Sequence, residues 1–169
     1  MQIRFTKPLM ALALASAVVA VQAQTDLQSL KGKALPTFTM KDTNGKAVTN
    51  KTLKGKVVLF DFWATWCGPC KMASPLMQSL HKKYASKGLV VVGANVNDTP
   101  GAAPKYKKQH NFTFMFTTGG EELLRKTGFT GIPGFIFVDR KGVVQRIDMG
   151  YSPRFEAEFE NTVKKLLAS

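Results

Sequence analysis

Cys67 and Cys70 are the only cysteines in a chain of 169 residues, and they stand in the run Trp66-Cys67-Gly68-Pro69-Cys70. A bridge across so short a loop removes little chain entropy and is a poor staple. An exported domain that relied on disulfides for stability would spread several pairs along its length. Two cysteines three positions apart point instead to a reactive dithiol. The run follows an apolar, β-prone stretch and opens a helical one, which puts Cys67 at a helix N-terminus. Unpaired N–H groups and the helix dipole favour a thiolate there and lower the thiol pKa from about 8.5 toward roughly 7. Cys70, one turn further, is then placed as the buried resolving thiol. The competing reading, half of a zinc site, needs two further ligands. Only His81 and His110 are available, and His81 lies three turns along the helix that carries Cys70, so no metal is expected.

Asp61 interrupts the apolar run Val57 to Trp63, one layer below the cysteines. An unpaired charge in such a strand is costly, so burial is expected to raise the carboxyl pKa. An acid that trades protons near neutral pH is what Cys70 needs, because Cys70 must lose a proton before attacking a mixed disulfide. The structural alternative pairs Asp61 with Lys56 or Lys71. Gly131-Ile132-Pro133 stands just before a strand, where proline cannot donate a ladder hydrogen bond. A cis Ile132–Pro133 bond would account for that placement, but only about 5–6% of X-Pro bonds are cis. The residues alone leave both forms open.

These groups need a scaffold, and the patterning supplies one. Leu35 to Met40 alternates apolar with polar and reads as a short edge strand, followed by an Asn44-Gly45 hairpin turn and a second strand, Lys46 to Thr49. Val57 to Trp63 and Leu89 to Ala94 are nearly continuous apolar runs, suited to central strands buried on both faces. A helix is predicted from Gly68 to about Ser86, with Met72, Leu76, Leu80 and Tyr84 as an inward stripe and Pro75 kinking it. Helices are also expected around Pro104 to His110 and Glu121 to Thr127. Phe135 to Val138 and Val143 to Met149 form a hairpin about the turn 139–142. Ser152 is expected to cap a last helix with Pro153 at its first position. Phe155, Phe159, Val163, Leu166 and Leu167 supply its buried face. Alternating strands and helices, then a hairpin and a closing helix, make an α/β sandwich with a mixed central sheet.

Arg4 and Lys7 precede an apolar run from Leu9 to Val21, and Ala23 offers a small residue for cleavage. That is the pattern of a secretory signal, 1–23; a retained membrane anchor would need roughly 20 apolar residues. Residues 24–34 are polar and are expected to form a flexible lead into a single domain, 35–169. Losing Arg4 and Lys7 lowers the formal charge from +13 to +11. The lysines are dispersed, and no aromatic-interleaved basic motif for nucleic acid is present. They read as solvated charges that favour solubility, or as a bias toward acidic partners or anionic headgroups.

Phe62-Trp63-Ala64-Thr65-Trp66-Cys67-Gly68-Pro69-Cys70-Lys71-Met72 resembles the active-site stretch of thioredoxins, with Asp61 and Pro75 where that family has its buried acid and helix proline. Leu35 to Phe38, the inserted segment 98–120 and Val138-Asp139-Arg140-Lys141-Gly142 resemble the exported TlpA-type thioredoxin-like reductases, over roughly residues 30–167. The resemblance implies a thioredoxin-like three-layer sandwich with an N-terminal hairpin extension and a central insertion. It implies a cis Pro133 lying against the cysteines, Trp66 covering the active-site face, and Ile132 offering its backbone to an extended substrate. Gly68 and Pro69 are the dipeptide of thioredoxin itself. Gly134 stands where thioredoxins usually have threonine, and their buried lysine is replaced around Gly93. The function implied is periplasmic reduction of protein disulfides through Cys67 and Cys70, with no cofactor beyond that pair. A membrane thiol-transfer protein would supply electrons to a monomer. The alternatives are a thiol oxidase, a non-enzymatic binding module, or a peroxiredoxin-type peroxidase. The last calls for a Pro-x-x-x-Thr-x-x-Cys context that Cys67 lacks.

Overall fold

A computed structural model describes residues 27–169; the predicted signal 1–23 lies outside them. Seven strands form one mixed sheet: β1 (Thr39–Asp42), β2 (Ala47–Thr49), β3 (Val57–Trp63), β4 (Leu89–Asn95), β5 (Met115–Thr118), β6 (Gly134–Val138) and β7 (Val144–Met149). Their spatial order is β2-β1-β5-β4-β3-β6-β7. β3 runs parallel to β4 and antiparallel to β6, and β4 runs parallel to β5. Every residue of β3 is buried, as its apolar sequence requires of a strand covered on both faces.

From residue 68 onward the sheet is flanked by the helices α1 (Gly68–Tyr84), α2 (Ala102–Gln109), α3 (Glu121–Lys126) and α4 (Phe155–Ala168). The alternation of β3 splits the core. Val57, Leu59 and Trp63 pack with α1, α2 and α4. Val58, Phe60 and Phe62 pack on the other face with Leu123 of α3, Leu35 and Phe38. Helices on both faces of a mixed sheet are the three layers of a thioredoxin-like sandwich. Among the described residues no helix is long and apolar enough to cross a membrane.

Several expectations need correction. The first strand begins at Thr39 rather than Leu35, and it is not an edge, because β2 lies outside it. Pro36 has no N–H for a ladder, and the carbonyls of Leu35 and Pro36 accept from the Asn50 side chain. Residues 27–34 do not hang free. Gly32 N–H donates to the Val144 carbonyl, Val144 N–H donates to Lys33, and Leu27 and Leu30 pack on the core.

Met72 leaves the predicted inward stripe and is 61% exposed. Four residues turn an α-helix by about 400°, so a four-residue repeat drifts about 40° per step. The other three predicted positions, Leu76, Leu80 and Tyr84, are buried, and Cys70, Ala73, Ser74, Met77 and Gln78 complete the buried face of α1. Ser152 does not cap α4 through its side chain. The helix starts at Phe155, and a turn closed by the Phe155 N–H to Ser152 carbonyl bond precedes it.

Candidate active site

The cysteines sit where the parallel strand β3 ends and α1 begins, at the carboxyl edge of the sheet. Cys67 is the N-cap of α1, with extended backbone, and its Sγ accepts from the Cys70 N–H at 3.2 Å. This is the orphan-donor geometry that stabilises a thiolate. The two sulfurs are joined as a disulfide with Cα atoms 5.3 Å apart. Cys67 is 6% exposed and Cys70 is fully buried, so of the two cysteines only Cys67 meets solvent. Gly68 and Pro69 are exposed in the first turn. Pro69 loses nothing there, because first-turn N–H groups have no partner within the helix. The Ser74 hydroxyl donates to the Cys70 carbonyl at 3.1 Å.

Asp61 is 1% exposed, and its Oδ1 has no hydrogen-bond partner. Neither Lys56 nor Lys71 pairs with it among the described residues. Burial alone pushes its carboxyl up to about 8. Directly opposite Asp61 on β4 stands Gly93. A Cβ there would lie 3.1 Å from the Phe114 ring and 3.2 Å from Trp63 Nε1, so aromatic side chains fill the space beside the acid. Tyr106 of α2 packs against Trp63 with its ring tilted by 36° and the centroids 4.9 Å apart. Its hydroxyl pKa is raised, chiefly by burial and further by the Asp61 charge, against a hydrogen bond from Ser74.

The Ile132–Pro133 peptide is cis. Pro133 is buried, and half-buried Ile132 packs on the cluster containing both cysteines. The β3–β6 ladder pairs Gly134 with Phe62, one strand position below the end of β3. A Cβ on Gly134 would come within 2.8 Å of the Phe129 ring, which is why no side chain follows Pro133. Trp66 is 62% exposed and donates Nε1–H to the Asn97 carbonyl at 3.0 Å. The histidines lie elsewhere, His81 within α1 and His110 just after α2. Among the described residues no group of three or more His, Cys, Asp or Glu is placed to hold a metal.

Sequence reasoning missed Asp98 and Met149. Asp98 accepts four hydrogen bonds: from the Thr65 N–H at 2.6 Å, the Thr65 hydroxyl at 2.8 Å, the Asn95 amide and the Thr99 N–H. Burial works against its charge, but these donors together hold its carboxyl below the usual range. It clamps the loop that delivers Trp66 and Cys67. The signal was there to find, since Asn95, Asn97 and Asp98 follow a parallel strand at the edge where α/β sheets place their sites. Met149 pairs with Gly134 and is 53% exposed. With Trp66 and Met72 it completes the large hydrophobics that the described surface exposes.

The family model for Redoxin matches residues 30–166. The chain belongs to the Redoxin family. It is 31% identical over 137 residues to the thiol-disulfide oxidoreductase ResA of Bacillus thuringiensis subsp. konkukian, covering 80% of this chain and 78% of the relative. It is 33% identical over 117 residues to the thiol:disulfide interchange protein DsbE of Pseudomonas fluorescens biotype C, 68% and 64% respectively. A crystal structure of a thiol:disulfide interchange protein from Chlorobium tepidum TLS superposes with a TM-score of 0.70 at 31% identity, over 81% of this chain and 97% of that one. With the Cys67–Cys70 pair in place, this Redoxin-family chain is a thiol–disulfide oxidoreductase of the ResA and DsbE type.

Proposed function

We propose that this oxidoreductase works in the periplasm as a reductase of protein disulfides, acting as a monomer. The observation that carries the reading is one constellation: Cys67 at a helix N-terminus and the more exposed of the two cysteines, a fully buried Cys70 behind it, and an unpartnered Asp61 beneath. The Cys67 thiolate attacks one sulfur of a substrate disulfide and expels the other as a thiolate. Asp61 takes the proton from Cys70, whose thiolate attacks the Cys67 sulfur and releases the second substrate thiol. Two electrons have then moved to the substrate, and the Cys67–Cys70 disulfide remains. The exchange needs no cofactor beyond the pair. Ile132 and Trp66 flank the place where an extended substrate would lie, the first offering backbone groups for strand-like pairing.

The direction rests on Gly68 and Pro69. Thioredoxin, with the same dipeptide, has a potential of about −270 mV against about −120 mV for a strong periplasmic oxidant, a gap of roughly 7 kcal/mol for two electrons. A reductant in an oxidising compartment requires a donor, and a membrane thiol-transfer protein fits that need. The test is twofold. Cys67→Ser should abolish disulfide reduction, whereas Cys70→Ser should accumulate covalent complexes with substrates; equal trapping by both variants would overturn the roles. Thiol alkylation in acid-quenched cells should find the pair at least partly reduced. Full oxidation, together with a measured potential near that of the oxidant, would reverse the direction.

A further inference from the structure

At the end of β3 remote from the cysteines, on the sheet face opposite α1, a cavity of about 360 Å³ opens to the surface. Leu35, Phe38, Leu53, Val58, Phe60 and Val138 line it, and all are buried. One wall is held in shape by Asn50, whose side chain accepts from Phe38 N–H and donates to the carbonyls of Leu35 and Pro36. Lys51, Lys54, Lys56 and Lys141 stand around it, the four of them exposed. None is in an ion pair among the described residues. Arg140 also borders it, with one guanidinium nitrogen donating to the Leu167 carbonyl at 3.0 Å.

The acid in this lining, Asp139, forms no ion pair with these lysines. Its oxygens accept from the Lys141 and Val143 N–H groups and the Gln145 amide, closing its own turn. Like charges gathered around one mouth repel, and the apolar floor beneath them meets water only at its edges. A ligand with an anionic head and a short apolar body would relieve both features together. The volume lies at the small end of the range for ligand pockets, about 300–1,000 Å³. That suits a single short chain better than a two-chain lipid.

We propose that this cavity binds a free single-chain carboxylate, with its aliphatic body against Phe38, Leu53 and Val58 and its head among the lysines. The site is independent of the redox chemistry. Calorimetric titration of the full chain with decanoate, decanol and decyltrimethylammonium tests it. Decanoate should bind one to one and roughly ten- to a hundredfold more tightly than decanol, since several exposed ion pairs, each weak, act together on one head. The cationic amphiphile should be weaker still.

The double variant Lys54→Glu/Lys56→Glu should remove the advantage of the carboxylate. Ala34→Trp, which fills the exposed mouth without touching the core, should block both decanoate and decanol. Neither variant should change protein-disulfide reduction, a control that shows the fold intact. Equal affinity for decanoate and decanol would overturn the proposal, as would undiminished decanoate binding by either variant. So would affinity confined to anionic phospholipid vesicles, which would mark the lysines as a membrane contact.

Discussion

Asp61 and Asp98 flank the same active-site turn from below and from the side, yet the fold gives them opposite chemistry. Asp61 comes from the middle of a central strand, where its Oδ1 meets no donor and burial holds the proton on. Asp98 comes from the loop after β4, where four donors converge on it and keep it ionised despite its partial burial. Burial by itself disfavours the charged form, and hydrogen bonds to that form restore it. The difference between a carboxyl that keeps its proton and one that keeps its charge is therefore a difference in available donors, not in residue type.

Replacing Asp61 has the largest expected effect short of removing a cysteine. With its folded pKa near 8 and the ordinary value at 3.8, Asp61 keeps its proton in the fold over a range where the unfolded chain has lost it. Stability is thus full below about pH 4 and falls as the pH rises to 8, by an amount on the order of 5 kcal/mol as an upper bound. Asp61→Asn should stabilise the oxidised protein strongly at pH 8 and hardly at pH 4, measured by urea unfolding. It should also slow resolution of the mixed disulfide more at neutral than at alkaline pH, where Cys70 ionises unaided. A stability gain of the same size at both pH values would leave Asp61 outside the titration.

The clamp should respond with the opposite sign. Asp98→Ala leaves the Thr65 N–H and the Asn95 amide without their acceptor, a cost of about 2–3 kcal/mol. Because the folded pKa of Asp98 is depressed, its contribution is present above the unfolded value and is lost as the pH falls through the folded one. Unfolding curves of wild type and variant should therefore differ most above pH 4 and converge in acid. A gap that persists unchanged into acid would show that the charge of Asp98 is not what stabilises the loop.

The smallest effect sharpens the comparison at the rim. Trp66→Phe removes the bond to the Asn97 carbonyl from a largely exposed ring, and should change stability by less than about 1 kcal/mol. If the ring serves substrates, KM for protein disulfides should rise while kcat holds. A fall in kcat with KM unchanged would show that the indole instead fixes the loop behind Cys67.

The redox pair, the strand beneath it and the helix that follows were legible because each rests on local chemistry. A thiol pair at a strand–helix junction, an acid in an apolar run and a proline before a strand all announce themselves in short windows. Misplaced elements were those that depend on competition between neighbours. Leu35 to Phe38 has the alternation of a strand, but Pro36 and the reach of Asn50 divert its backbone. Residues 27–34 have the composition of a free lead, yet β7 accepts them as an added partner.

By itself the sequence determined the chemistry on offer: which thiols, which acid, and a sheet able to bury them. Tertiary structure decided what that chemistry can do. At Gly93 a side chain would crowd Phe114 and Trp63, which are distant in the chain and converge there. Asp61 Oδ1 finds no donor in that packing, and Asp98 keeps its charge through a loop 33 residues upstream. Donors, voids and neighbouring charges belong to the packed fold, and it is they that set a carboxyl's proton.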